Sequence, residues 1–379
     1  MGRGRGAPGP GGRRRFPSRG LPSCDHARRD PGPHRARQRP RGGAVRQGST
    51  IVGLGRYLPG RILTNAELAR TVDTTDEWIR SRTGVEERRI AAPEEASSDL
   101  AYGAAREALE TAGIGPAEID LIIVGTTTPD MVFPNVACLI QKRLGTRTVG
   151  CLDVSAACSS FVYGLSVAHG AIVSGQAETV LVVGAETLSR ITNWRDRATC
   201  VLFGDCGGAA VLRPARKGDG FLSFTLGGDG QGGDALQMKA GGSRRPASYE
   251  TIERGEHYIA MNGSEVYQFA VRALCDAAAQ ALREADLGPA DVDFVIPHQA
   301  NIRIIESAAR RLKIPMEKFF VNVQRYGNTS AASIPVALYE AAAAGCVRDG
   351  GLGVLVTFGA GYTWAACTIR WGGGIRRRA

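Results

Sequence analysis

The sequence predicts an α/β protein made of two duplicated halves, stacked as a five-layered α/β/α/β/α body. Three observations carry that reading. Val/Ile-rich runs alternate with alanine-rich amphipathic ones, the pattern of buried, mostly parallel strands with helical crossovers. The segment Gly115-Pro-Ala-Glu-Ile-Asp-Leu-Ile-Ile recurs as Gly288-Pro-Ala-Asp-Val-Asp-Phe-Val-Ile, at an offset of 173. Val180-Leu-Val-Val is echoed by Val354-Leu-Val-Thr at an offset of 174. One match could be chance, but two at nearly one offset indicate duplication, with halves spanning 49–215 and 216–379.

Taken in order, the first strand is Ser49-Thr-Ile-Val-Gly-Leu-Gly, closed by Tyr57-Leu-Pro-Gly. Helical patterns follow at Asn65–Val72, behind a Thr64 cap, and at Thr75–Arg82. An alanine-rich helix over Ser98–Ala112 leads into a strand at Ile119–Gly125. In the second half the matching strand is Val292–Ile296.

With 379 residues, 43% hydrophobic and 22% charged, the chain has ordinary globular composition and enough length for a large core. No run approaches the 18 apolar residues of a membrane span, and the arginine-rich start lacks the apolar core of a secretory signal. The net charge of +10 is misleading. Residues 1–48 hold thirteen arginines against Asp25 and Asp30, so the remaining body sums to −1. A body without basic excess is not built to track a phosphate backbone, and no nucleic-acid partner is expected for it. The 1–48 arm is Gly/Pro/Arg-rich with almost no aliphatic content, and it is expected to be disordered. It reads most simply as an extension from a mis-assigned start codon, with translation beginning near Val45. An RNA-binding tail or a transit peptide are the alternatives.

Nine cysteines (24, 138, 151, 158, 200, 206, 275, 346, 367) show no CxxC pair and no Cys/His ligand spacing. Their odd number and apolar settings fit reduced thiols in a cytoplasmic protein, with neither a disulfide framework nor a metal site.

Three segments carry chemistry. In Leu152-Asp-Val-Ser-Ala-Ala-Cys158-Ser-Ser, a short strand runs into small residues and a helical pattern begins at about the cysteine. A helix N-terminus lowers a thiol pKa, although by itself Cys158 reads as one more buried cysteine. Of the three histidines in the body, His298 directly follows a strand, in Ile296-Pro-His-Gln-Ala-Asn301. The carboxyl end of a strand is where ligand chemistry is expected in α/β folds. Asn328, in Tyr326-Gly-Asn-Thr-Ser-Ala-Ala, stands at an offset of 170 from Cys158, close to that of the repeat. That places it at the corresponding strand-to-helix corner of the second half. Alone it would be a helix cap. Two symmetry-related corners and a post-strand histidine form a constellation at the seam of the halves.

This Cys…His…Asn arrangement resembles the thiolase-fold condensing enzymes, most closely the β-ketoacyl-acyl carrier protein synthase III family. The resemblance runs from Ser49 to Arg370 and rests on Asp76-Glu-Trp-Ile-Arg-Ser-Arg-Thr-Gly84, the Cys158 segment, Pro297–Arg303, Gly327-Asn-Thr-Ser-Ala-Ala-Ser and Phe358-Gly-Ala-Gly-Tyr-Thr-Trp364. Chalcone-synthase-like relatives share the three residues but not the Trp78 segment. Thiolases have a second catalytic cysteine, synthases I and II a second histidine, and hydroxymethylglutaryl-CoA synthases a glutamate base.

The resemblance implies an acyltransferase that needs no cofactor. Cys158 takes an acyl group from acyl-CoA. Loss of CO₂ from malonyl-acyl carrier protein gives an enolate held by Asn328 and by His298, which near neutral pH is able to carry that proton, and its attack on acyl-Cys158 releases 3-ketoacyl-carrier protein to begin fatty acid synthesis. The amides of Cys158 and Ala360 form the oxyanion hole, with alanine standing where the family usually has glycine. Trp78 and Arg197 sandwich the CoA adenine, Arg82 meets phosphate, Asn301 lies near pantetheine and Arg303 faces carrier protein. Gln268 stands where a basic docking residue is common. Phe133 reaches into the partner's acyl pocket of a homodimer. A starter-unit priming ketosynthase or acyltransferase of a polyketide pathway is the competing enzyme. A non-catalytic scaffold acting through the basic arm is the competing non-enzyme.

Overall fold

The computed structural model describes residues 1–2 and 48–372; the expectations for the rest of the 1–48 arm lie outside the described residues. The strands are β1 (Ser49–Tyr57), β2 (Arg61–Thr64), β3 (Glu87–Ile90), β4 (Leu121–Gly125), β5 (Gly150–Val154), β6 (Val180–Glu186), β7 (Cys206–Pro214), β8 (Gly220–Gly228), β9 (Leu236–Met238), β10 (Ile259–Met261), β11 (Phe294–Pro297), β12 (Leu352–Gly359) and β13 (Thr363–Arg370). One sheet has the order β1-β7-β6-β4-β5, the other β8-β13-β12-β11. The second is extended beyond β11 by a parallel bridge from Val295 to Phe319, in the place that β5 holds in the first.

Pairing repeats along with order. From the first strand of each sheet the senses run antiparallel, antiparallel, parallel, parallel. The sheets expected to be mostly parallel are therefore mixed. The cause lies in the connections: only three residues, Ala360–Tyr362, join β12 to β13, too few for a parallel crossover. Residues 187–205 likewise return the chain to β7 without a packed crossover helix.

Burial separates the layers. Helices Ser160–Val173 and Ser333–Ala343 lie between the sheets, where Phe161, Leu165, Ile334 and Leu338 meet Ile123 and Val182 of one sheet and Ile296 and Leu355 of the other. Helices Ser97–Ala112 and Val136–Leu144 cover the outer face of the first sheet. Gly263–Glu284 and Ile302–Leu312 cover that of the second. Each fully buried Leu, Ile or Phe contributes roughly 1.5–3 kcal/mol, so this two-faced burial is what fixes the stack.

The predicted Thr64 cap forms, and Thr75, expected as the first residue of its helix, is a cap as well. Thr64 and Thr75 accept from the amides of Glu67 and Trp78, so these helices begin at Asn65 and Asp76. The first ends early, at Leu68, and the second ends at Thr83, before left-handed Gly84. The expected strand at Ile119 begins at Leu121, because Pro116–Glu118 form a 3₁₀ turn. Among the described residues no helix is long and apolar enough to cross a membrane.

Candidate active site

Cys158 sits in a 3₁₀ turn, Ala157–Ser159, between β5 and the central helix Ser160–Val173. Its predecessor Ala157 has φ +49°, a left-handed conformation that a non-glycine residue holds only where surroundings impose it. The surroundings are visible. Thr357 donates to the Cys158 carbonyl at 3.0 Å, and Thr363 to the Ala156 carbonyl at 2.9 Å. The Ser160 hydroxyl accepts from the Ala156 amide at 2.8 Å. Gly359 presses so close that a Cβ there would lie 2.8 Å from the Cys158 nitrogen.

The second half repeats this corner. Ser330 has φ +47° and opens the 3₁₀ turn Ser330–Ala332 before the helix Ser333–Ala343. Ala157 and Ser330 are related by the offset of the sequence repeat itself. Asn328 does lie at the corner corresponding to that of Cys158. Residue by residue, however, the counterpart of Cys158 is Ala331, and Asn328 stands just ahead of the strained position. The Asn328 Oδ1 accepts from the Ser330 amide at 2.8 Å, and its backbone is pinned to Leu202 and Gly204.

Cys158, His298 and Asn328 all line one cavity of about 270 Å³, together with Thr127, Leu188, Phe203, Phe358, Gly359 and Ala360. Its wall is continued by apolar residues of β9 and β10. His298, 1% exposed, follows β11 as expected. Its Nδ1 lies 2.6 Å from the Ser333 hydroxyl, Phe358 meets the ring edge-on, and Nε2 is buried with no protein partner.

Electrostatics correct two expectations. Burial pushes the Cys158 thiol up to about 12; the charge of Glu186 adds to this and a hydrogen bond with Ser330 opposes it. Desolvation thus outweighs the lowering expected from the helix terminus, and the resting group is the neutral thiol. Burial likewise holds His298 down at about 3, so it is a neutral imidazole rather than a group poised near neutrality.

Glu186 escaped the sequence reading. It ends β6, is fully buried, and accepts hydrogen bonds from Thr126, Thr127, Thr128 and, across the seam, Ser330. A carboxylate closing the otherwise apolar run Val180–Ala185 was the available signal.

Of the remaining predicted residues, Asn301 lines the cavity, whereas Trp78, Arg82, Arg197, Arg303 and Phe133 do not. Arg197 stacks directly on Trp78, its guanidinium 5.0 Å from the ring centroid, and donates to the Asp73 carbonyl at 2.9 Å. An aromatic ring between them requires Arg197 to swing out. Both polar atoms of the Asn301 side chain are engaged, Nδ2 on the Arg82 carbonyl at 3.0 Å and Oδ1 capping the Arg303 amide at 2.9 Å. Asn301 lines the cavity chiefly as a helix cap that ties the Trp78–Arg82 helix to the His298 loop. Arg82, Arg303 and Gln268 are all exposed. Phe133 is 83% exposed and lies outside the cavity of the single chain. Among the described residues no cluster of His, Cys, Asp and Glu is arranged to hold a metal.

The chain is similar to known proteins over most of its length. Residues 152–230 match the model of 3-oxoacyl-[acyl-carrier-protein] synthase III, and residues 282–371 that of its C-terminal part. The chain is 55% identical over 322 residues to the beta-ketoacyl-[acyl-carrier-protein] synthase III of Symbiobacterium thermophilum, covering 85% of this chain and 98% of that protein. It is 52% identical to the protein of that name from Caldanaerobacter subterraneus, covering 85% and 97%. The crystal structure of 3-oxoacyl-[acyl-carrier-protein] synthase III from Aquifex aeolicus superposes with a TM-score of 0.79 at 45% identity, covering 86% of this chain and 100% of that one. The priming beta-ketosynthase of the R1128 polyketide pathway gives 0.81 at 36% identity, covering 88% and 99%.

Proposed function

We propose, from the premise that this chain belongs to the beta-ketoacyl-[acyl-carrier-protein] synthase III family, that it joins an acyl-CoA starter to malonyl-acyl carrier protein and so begins fatty acid synthesis. The observation that carries the proposal is the convergence of Cys158, His298 and Asn328, drawn from both repeated corners and a strand end, on one apolar cavity.

In the first half-reaction the Cys158 sulfur attacks the acyl thioester and CoA leaves. Gly359 packs against the Cys158 amide, which brings Ala360 beside it, so both amides serve the carbonyl oxygen as it gains charge. In the second, malonyl-carrier protein loses CO₂ and its thioester oxygen becomes an enolate oxygen. His298 and Asn328 donate hydrogen bonds to that oxygen. The Ser333 hydroxyl, itself 3.5 Å from the Gln299 amide, donates to Nδ1 of His298, which leaves the ring proton on Nε2 facing the cavity. A neutral donor suits this task, because it stabilises the enolate without quenching it. The enolate carbon then attacks acyl-Cys158. No step calls on a cofactor.

CoA enters past Trp78, Arg197 and Arg82, with Asn301 near the pantetheine arm, and Arg303 faces the carrier protein. Phe133, exposed in the single chain, fits a role in the partner's acyl pocket of a homodimer. The protein is assigned to the cytoplasm, and its domain boundary falls between β7 and β8, at residues 215 and 216.

The test supplies acyl-CoA and malonyl-carrier protein and follows 3-ketoacyl-carrier protein by mass. Wild type forms it. His298→Ala and Asn328→Ala still take up acyl groups but lose decarboxylation by about a hundredfold or more. Formation of acyl esters or amides in place of ketoacyl product would favour the acyltransferase reading, whereas the priming-ketosynthase reading, kept in view by the 36% identity to a priming beta-ketosynthase, shares the ketoacyl product.

A further inference from the structure

Both corners of the site carry a strained residue, but only the second anchors it by its own side chain. At the first, Ala157 is held from outside, with Thr363 and Thr357 fixing the carbonyls on either side. At the second, Ser330 has φ +47° and its hydroxyl donates to Oε1 of Glu186 at 3.0 Å. The same Oε1 accepts from the Thr127 amide at 3.1 Å. Oε2 accepts from the Thr128 hydroxyl at 2.6 Å and the Thr128 amide at 3.1 Å. Glu186 ends β6 and is fully buried, so its carboxyl is a fixed post. Two residues before it, Gly184 lies so near that a Cβ there would collide with the Ala331 carbonyl. β6 therefore supports the Asn328 corner as β12, through Gly359, supports the Cys158 corner. The consequence falls on Asn328. Its backbone is bonded on both sides, the amide to Leu202 at 2.8 Å and the carbonyl to Gly204 at 3.0 Å. Its Oδ1 takes a single bond, from the Ser330 amide at 2.8 Å. That bond decides which edge of the side chain serves the cavity: with Oδ1 taken, the donor Nδ2 is the edge left for an enolate oxygen.

We propose that Glu186 is a positioning residue for the second half-reaction. Through the Ser330 hydroxyl it holds residue 330 left-handed, which aims the Ser330 amide at Asn328 Oδ1 and the Asn328 Nδ2 at the enolate. The proposal rests on the reading of Asn328 as an enolate donor. A non-glycine residue at positive φ relaxes to ordinary backbone when nothing holds it. Relaxation at residue 330 rotates the peptide that joins it to Thr329, and its N–H leaves Oδ1. The Asn328 amide is then free to turn over, which sets a carbonyl oxygen against the enolate in place of a donor. A donor lost from a site that stabilises developing negative charge is lost where it matters most. Neither Glu186 nor Ser330 exchanges a proton in this scheme. The Cys158 corner hangs on β12 instead, through Thr357 and Gly359, so the first half-reaction does not depend on the Glu186 anchor.

The test uses Ser330→Ala, Ser330→Gly, Glu186→Gln and the double variant of Ser330→Ala with Glu186→Gln, all in the full chain. Single-turnover acylation by acetyl-CoA is measured first. Decarboxylation of malonyl-carrier protein, and its KM, are then measured on enzyme acylated beforehand. Ser330→Ala keeps the strain and loses the anchor, so decarboxylation falls about a hundredfold while acylation and KM stay near wild type. Ser330→Gly recovers roughly tenfold of that loss, because glycine holds a positive φ without an anchor. Glu186→Gln falls in the same way as Ser330→Ala, and the double variant is no slower than the slower single one. The Ser330 variants decide the matter if Glu186→Gln does not fold. A crystal structure of Ser330→Ala shows residue 330 at negative φ and Asn328 Oδ1 released. Unchanged decarboxylation in Ser330→Ala, equal losses in both half-reactions, a glycine variant no faster than the alanine one, or multiplicative losses in the double variant would overturn the proposal. If wild type does not decarboxylate malonyl-carrier protein, the condensing reading fails instead. The Ser330→Ala crystal structure then still decides the positioning, and an unmoved Asn328 there sinks it.

Discussion

Replacing Gly359 by alanine puts one methyl group where the nucleophile's corner has no room. The new Cβ would lie 2.8 Å from the Cys158 nitrogen, 2.8 Å from the Thr363 hydroxyl and 3.0 Å from the Ala156 carbonyl, whereas ordinary contact begins at 3.4 Å. One of these groups must retreat by about 0.5 Å or more. Thr363 is held by its bond to Ala156 and the Cys158 carbonyl by Thr357, so relief comes from moving the whole corner away from β12. Overpacking of this kind costs about 1–3 kcal/mol of stability, which a large protein survives. The catalytic loss is larger, since a shift approaching 1 Å at a reacting atom lowers rate about a hundredfold. Single-turnover acylation, read by intact mass, is compared with denaturant unfolding of the same protein. The expected result is a folded variant with acylation slowed about a hundredfold. A variant acylated at the wild-type rate would refute the view that β12 sets the position of Cys158.

Three further outcomes follow from particular contacts. Ser333→Ala removes the partner of His298 Nδ1, and condensation is expected to fall tenfold or more, by roughly 1–3 kcal/mol, while acyl uptake is unchanged. The pH dependence of stability follows from the burial that holds His298 down at about 3. The unfolded chain takes up this proton near pH 6.5 and the folded one does not, so stability is complete above that pH and declines from about 6.5 towards 3. His169 is shifted in the same direction by burial, so the measurable quantity is the flatter acid limb of His298→Asn relative to wild type in denaturant titrations. Glu340, 8% exposed, gathers Arg56, Arg325, Tyr326 and Asn322. Its replacement by alanine leaves the buried Tyr326 and Asn322 groups without this partner and is expected to cost about 1–3 kcal/mol, read as a lower denaturant midpoint.

The convergence of Cys158, His298 and Asn328 was legible because the chain repeats itself: position 158 gained meaning only beside a second corner at nearly the repeat offset. The repeat also carried the layered α/β stack, but neither the sheet order nor the strand senses, which depend on short returns such as Ala360–Tyr362 that leave no periodic signal. Trp78 and Arg197 were recognisable as a pair, whereas their direct stacking before any ligand enters was not. Asn301 was read as lying near pantetheine, and only the bonds to Arg82 and Arg303 show how fully it is occupied as a helix cap. Glu186, Ser330 and Ser333 were missed. Ser330 and Ser333 lie inside the quoted Gly327–Ser333 segment and Glu186 closes an apolar run, but the bonds that give them meaning, Ser330 to Glu186 and Ser333 to His298, are made across the fold. Thiol and imidazole protonation were misjudged for one reason: a helix terminus or a strand end is local, whereas desolvation is set by both sheets together.

The acyl-enzyme at Cys158 is the claim on which the rest depends, and intact-protein mass spectrometry after exposure to acyl-CoA tests it directly. Wild type is expected to gain the mass of one acyl group, and Cys158→Ala none. An adduct of the same mass on Cys158→Ala would contradict the assignment of the nucleophile and, with it, the reaction.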